Sequence, residues 1–259
     1  DRLRSRGLGD VYKRQELDST NRAAKEAAFS GEAGHGALIL ARRQKSGRGR
    51  RGRSFYSPEN AGLYMSIVLR PDRTLKEGLL ITTAAATAVC RAVKKICGID
   101  LGIKWVNDLY LHDRKVCGIL TEAVTDFESG NIEFAVVGIG LNLYVPEDGF
   151  PEEIQETAGA LFGSREAAEH VNCSILVAEI ANQLLMEVET PGLSREYTEN
   201  NIIPGNMIVI TDGARTREAY AEAIAPDGRL VVREQDGSET LLSYGEVSVR
   251  RKPDEDQSK

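Results

Sequence analysis

The stretch GIKWVNDLYLHDRKVCGILTEAV, residues 102–124, decides the fold class. Its apolar, partly β-branched runs at 102–106, 109–111 and 115–124 read as strands. Only Asn107-Asp108 and His112-Asp113 punctuate them, and such short polar side chains bond to nearby backbone and favour tight turns. A further strand-like run, 133–137, follows. Neighbouring strands with no helix between them form a meander. The expected class is therefore α+β, not the repeated strand–helix alternation of a doubly wound α/β sheet.

Working upstream, residues 75–97 are rich in Ala, Leu and Val and predict a long helix that Gly98 ends. LYMSIVL at 63–69 and residues 37–41 predict strands. Ser19-Thr20-Asn21 offers N-cap chemistry to an Ala-rich helix over 22–29, with Gly31 as its stop. Downstream, 166–189 and 195–200 read as helical. After Pro204-Gly205 the texture changes to short strands at 207–210, 218–224, 230–233, 240–242 and 247–250. Asp212-Gly213, Pro226-Asp227-Gly228 and Asp236-Gly237 separate them, as in a small β-barrel or sandwich. A boundary near Ile203 divides 16–203 from a second domain at 204–252. Residues 1–15, DRLRSRGLGDVYKRQ, show no apolar period and are expected to be an unstructured leader or scar. The charged end, 253–259, is expected to be flexible.

The chain has 259 residues, 41% hydrophobic, and a formal net charge of -6. An acidic chain is not a general nucleic-acid or membrane binder. Cys90, Cys97, Cys117 and Cys173 form no Cys-x-x-Cys pair and stand at no zinc spacing from His35, His112 or His170. They read as free thiols in a reducing compartment. No apolar run reaches the ~20 residues that span a bilayer, and no secretory signal is visible, so a cytoplasmic location is expected.

Against this acidic background, SGRGRRGR at 46–53 stands out. Glycine lets backbone approach a ligand closely, and guanidinium forks bind carboxylate and phosphate oxygens in pairs. By itself the loop fits a small-anion site, an RNA-binding segment or a solvated surface. It occurs once, between strand-like runs, and lacks the spacing of a Walker loop. Lys104 and Lys115 border apolar strands, which suits either solvated strand ends or a cationic site. Trp105 and Cys117 read as core. GIGLN at 138–142 follows a strand but carries Leu143 where a dinucleotide fingerprint needs its third glycine. Its two glycines suit approach to a flat ligand, with the Asn142 amide able to donate and accept.

In order, DSTN (18–21), QKSGRGRRGRSFYSP (44–58), LYMSIVLR (63–70), KWVNDLYLHDRKVCGILTEA (104–123) and GIGLNL (138–143) resemble the biotin–protein ligase family, over about residues 16–251. The resemblance implies a mixed sheet with helices, similar to class II aminoacyl-tRNA synthetases, followed by an SH3-like barrel. It implies an enzyme that joins biotin to AMP, using ATP and Mg²⁺, and passes biotin to a lysine of a biotin carboxyl carrier protein domain. By the same likeness, biotin lies near Ser19, Thr20, Asn21, Gln44, Gly47, Arg48, Arg50, Lys115 and Gly118. ATP and the adenylate lie near Arg48, Arg50, Arg51, Phe55, Lys104, Asn107, Asp108 and Asn142, with Asp108 as the candidate Mg²⁺ ligand. Phe55 stands where many relatives have a tryptophan, and Val106 where they have a proline. Arg50, Lys115 and Lys104 are the implied catalytic cations. Glu246 and Arg250 match positions near the carrier-docking surface, or serve as ordinary edge-strand charges. Nothing upstream of Glu16 reads as the DNA-binding domain that some relatives carry, and a homodimer is compatible with the pattern. A lipoate or octanoate transferase and a nucleic-acid-binding regulator remain as alternatives.

Overall fold

The computed structural model describes residues 10–126, 128–243 and 248–251. Seven strands form one sheet: β1 (Val11–Leu17), β2 (Leu38–Gln44), β3 (Gly62–Leu69), β4 (Gly102–Lys104), β5 (Asp108–Leu111), β6 (Arg114–Thr125) and β7 (Ile132–Asn142). Their spatial order is β1-β2-β3-β7-β6-β5-β4. Only β1 and β2 pair in parallel; the rest of the sheet is antiparallel. The meander from β4 to β7 is thus present as expected. The turn between β5 and β6 carries positive φ at both His112 (48) and Asp113 (62), the geometry that lets a two-residue hairpin follow strand twist.

Helix α1 (Thr20–Phe29) lies on one face of the sheet, and α2 (Gly78–Cys97) and α3 (Cys173–Glu189) lie on the other, followed by the short α4 (Arg195–Glu199). Beneath α1, Ala24 and Ala28 pack on Ile39, Val68, Phe134 and Val136. The small alanines let the helix settle close to the sheet. The alternate residues Met65, Ile67, Val137 and Ile139 turn the other way, into the larger core with α2 and α3. The α2 helix ends at Gly98, whose φ of 71 is the left-handed stop expected of a C-cap glycine. The predicted helix over 166–189 is divided. A 3-10 turn covers Glu166–Ala168, and α3 starts only after Asn172, whose side chain accepts from the Ser174 and Ile175 amides.

The strands β8 (Asn206–Asp212), β9 (Arg215–Ile224), β10 (Leu230–Arg233), β11 (Glu239–Leu242) and β12 (Ser248–Arg251) form a second sheet, in the order β11-β10-β9-β8-β12. All its pairings are antiparallel. Ile208, Ile210, Ala221, Leu230 and Val232 belong to the same buried cluster as α2 and the large sheet.

Two expectations are corrected. The leader expected over 1–15 is a strand from Val11 onward, paired with β2. It showed no apolar period because it is an edge strand with Lys13, Arg14, Gln15 and Glu16 exposed. Residues 1–9 lie outside the described residues. The GIGLN run does not follow a strand; it lies inside β7, which continues to Asn142. Among the described residues, no helix is long and apolar enough to cross a membrane.

Candidate active site

Residues directly opposite one another in paired strands share a face. One such row crosses the α1 side of the sheet: Lys104 opposite Asp108, Asp108 opposite Gly118, Gly118 opposite Gly140, and Gly140 opposite Tyr64. The next row is Leu120, Gly138 and Ser66. The middle of this face therefore lacks side chains and forms a shallow trough.

The basic loop folds over it. Arg48 bridges to Ser54, and the tip between them holds a 3-10 turn, Arg50–Gly52. Gly47 is a necessary glycine. A Cβ there would lie 2.3 Å from the Phe55 carbonyl oxygen and 2.6 Å from Ser57 Oγ. The Phe55 ring drops onto the glycine row. A Cβ on Gly140 would lie 2.5 Å from the ring, and one on Gly118 would lie 3.1 Å from it. The same point at Gly118 is 3.2 Å from Lys115 Nζ, so ammonium and ring flank one spot.

The cations have defined anchors. Lys115 Nζ lies 2.7 Å from Asp108 Oδ1. That oxygen is buried, and the ammonium is its counter-charge. Arg50 Nη1 donates to Asn107 Oδ1 at 3.1 Å, and Asn107 Nδ2 donates to the Ile119 carbonyl at 2.8 Å. Arg50 and Lys115 are thus tied to adjacent residues from two separate segments. Lys104 Nζ sits 5.4 Å from the Tyr110 ring centre, on the outermost strand of the row. Arg48 and Arg51 are exposed. Asn142 is buried at the end of β7, and its amide donates to the Gly159 carbonyl at 2.8 Å.

At the other end of the trough, the α1 N-terminus meets the loop base. Gln44 Oε1 accepts from the Thr20 amide at 2.8 Å and the Thr20 hydroxyl at 3.2 Å. Its Nε2 lies 2.9 Å from Ser57 Oγ, which donates to the Phe55 carbonyl at 3.0 Å. Ser19 caps α1 in backbone geometry, yet its hydroxyl makes no bond to the helix's first amides. Asn21 is 3% exposed and reaches Ser66, Leu120 and Glu122. Ser66 and Glu122 escaped the sequence reading. Their only signal was polarity at core-facing positions within LYMSIVL and GILTEAV.

Among the described residues, no group of three or more His, Cys, Asp or Glu could hold a metal. Asp108 alone suits a divalent cation that arrives on a nucleotide, not a resident cage. Of the two carrier-docking candidates, Glu246 lies outside the described residues, and Arg250 lies on β12 opposite Val209.

Known proteins are similar to this chain. The model of the biotin/lipoate A/B protein ligase family matches residues 11–142. The Bacillus subtilis bifunctional ligase/repressor BirA is 35% identical over 164 residues, a match that spans 63% of this chain but only 49% of that protein. The biotin--[acetyl-CoA-carboxylase] ligase of Paracoccus denitrificans is 30% identical over 240 residues, covering 86% of this chain and 94% of the relative. A solved biotin protein ligase from Aquifex aeolicus, in complex with biotin and ATP, superposes with a TM-score of 0.75 at 24% identity, over 93% of this chain and 99% of that one. That superposition shows a shared fold. With the family model matching 132 residues, 11 to 142, out of 259, this chain belongs to the biotin/lipoate A/B protein ligase family.

Proposed function

We propose that the chain is a biotin–protein ligase. The observation that carries this is the convergence of the Lys115 ammonium and the Phe55 ring on one glycine-floored spot, with Arg50 fixed alongside through Asn107. In the first step a biotin carboxylate oxygen attacks the α-phosphorus of ATP, and pyrophosphate leaves. Two anions must approach, so preorganised cations lower the barrier. Lys115 and Arg50 bridge carboxylate and α-phosphate, and Lys104 offsets charge on the leaving phosphates. Mg²⁺ bound with the triphosphate would neutralise further charge, with Asp108 as its protein ligand. Ser19, Thr20 and Gln44 form the end that takes the ring head of biotin, and Asn142 borders the adenine. Phe55 and the loop from Gly47 to Tyr56 cover the mixed anhydride and exclude water. In the second step a carrier lysine attacks the acyl carbon, an amide forms and AMP leaves.

The five-stranded unit fits an SH3-like barrel within 204–252, and carrier docking is assigned to this unit, with Glu246 and Arg250 as its candidate residues. Free cysteines fit a reducing cytoplasm. The test incubates the full chain with a biotin carboxyl carrier domain, ATP, Mg²⁺ and biotin, and weighs the carrier by mass spectrometry. The expected result is a gain of one biotin that requires ATP. Loading of lipoate or octanoate in place of biotin would move the assignment to the lipoate branch. Salt-dependent DNA binding with no acylation would remove the ligase reading.

A further inference from the structure

Asn21 has spent its donors inside the protein. Its Nδ2 donates to the Leu120 carbonyl at 3.2 Å and to Glu122 Oε2 at 3.0 Å. Its Oδ1 accepts from the Ser66 hydroxyl at 2.7 Å. A primary amide has two N–H donors, so none remains for a ligand. The amide cannot be turned over, because its oxygen would then face a carbonyl and a carboxylate oxygen. Gly138 makes room for it: a Cβ there would lie 2.0 Å from Oδ1. In the sheet, Gly138 stands between Ser66 and Leu120. The Asn21 amide thus lies across three central strands and fastens the first turn of α1 to them. Its neighbour Ser19 is only 5% exposed, and its hydroxyl leaves the helix amides unbonded.

We propose that Glu122 is a positioning residue for the acyl substrate. By holding Asn21 it fixes the start of α1, so that the Ser19 hydroxyl and the Thr20–Gln44 pair face the ring head of biotin. The inference rests on the ligase reading above. Lys25 Nζ stands 4.0 Å from the other carboxylate oxygen and steadies the Glu122 side chain. The bond to Asn21 needs an acceptor oxygen but not a charge, so glutamine at this position retains it.

The test is calorimetric binding of biotin to the full chain, with the KM for ATP and thermal unfolding measured in parallel. Glu122→Ala is expected to weaken biotin binding about tenfold, near the upper end for losing one ordinary hydrogen bond, while the KM for ATP stays within about twofold. Glu122→Gln is expected to restore most of the affinity. Ser66→Ala, which removes the hydroxyl shared by Asn21 Oδ1 and Thr20 Oγ1, is expected to weaken biotin binding at least as much as Glu122→Ala, and the double variant to lose less than the product of the two. If Glu122→Ala does not fold, Ser66→Ala and Glu122→Gln carry the same comparison. Unchanged biotin affinity in folded variants would overturn the positioning role, as would equal losses for biotin and ATP that follow stability. If the wild-type chain neither binds biotin nor loads a carrier, the ligase reading falls and this inference falls with it.

Discussion

At the scale of single residues, the proposed chemistry depends on one ammonium group beside the glycine floor. Lys115 lies beside Gly118, and its nearest described charge partner is Asp108, 2.7 Å away. Replacing it removes the cation proposed to meet both reacting anions. Lys115→Ala is expected to slow adenylate formation by about a hundredfold or more, the usual loss for one preorganised charge, and to lower the unfolding midpoint as well, because the buried Asp108 oxygen loses its counter-charge. Pyrophosphate release under single turnover measures this, and a near-normal rate would take Lys115 out of the mechanism. The thiols offer a second residue-scale test. Burial pushes Cys90 up to about 12 and raises Cys117 further. Neither supplies thiolate near neutral pH. Cys173 is exposed and Cys97 half-buried. With a thiol reagent at pH 8, we expect Cys173 to be modified first and Cys97 more slowly. Cys90 and Cys117 should react only after unfolding, and fast labelling of Cys117 would contradict its core position. That Arg50 and Lys115 come together was legible in the sequence through the loop's composition and the family motifs. The Asn21–Glu122 bond was not, since its ends lie 101 residues apart and only folding brings them together.

Among the elements, α2 and α3 are joined by polar links as well as by their apolar faces. Lys95 Nζ lies 2.9 Å from Glu179 Oε2, and Gln183 Nε2 donates to Glu179 Oε1 at 2.8 Å. The bond from Lys95, then that from Gln183, hold the Glu179 carboxyl below the usual carboxylate range. A carboxyl with a lowered folded pKa stabilises the fold above its unfolded pKa of about 4.5, and that contribution is lost as pH falls through the lower folded value. Thermal unfolding of the wild type and Glu179→Gln should therefore differ most at neutral pH and converge below about pH 4. A gap that stays constant down to pH 3 would show that packing, not ionisation, connects the helices. Helices and the β4–β7 meander were readable because their patterns are local: capping residues, an alanine-rich run, turn pairs between apolar strands. Strand β1 and the last residues of β7 were not. The first pairs on one side only and exposes its middle residues, and the second is built around glycines that carry no pattern of their own.

For the whole molecule, the question is whether the two sheets are one folding unit. The only tryptophan, Trp105, sits between Lys104 at the end of β4 and the turn that leads to β5. It is 6% exposed, and its Nε1 donates to the Gly228 carbonyl, in the turn between β9 and β10, at 2.9 Å. The buried cluster continues through this junction from Ile103 and Leu109 to Ile208 and Leu230. The change of texture at Pro204 marked the second sheet in the sequence, but no local pattern could show that the sheets share a core. A shared core makes unfolding cooperative. Trp105 fluorescence reports the junction, while far-ultraviolet circular dichroism reports all strands and helices. We expect both signals to change at one denaturant midpoint. Trp105→Phe keeps most of the buried ring and leaves the Gly228 carbonyl without its donor, at a cost of about 1–2 kcal/mol. Its circular dichroism midpoint should fall with no change of slope, because the surface exposed on unfolding is the same. Separate midpoints for the two probes in the wild type would mean that the small sheet opens independently, and that the Trp105 bond fastens two units instead of lying within one.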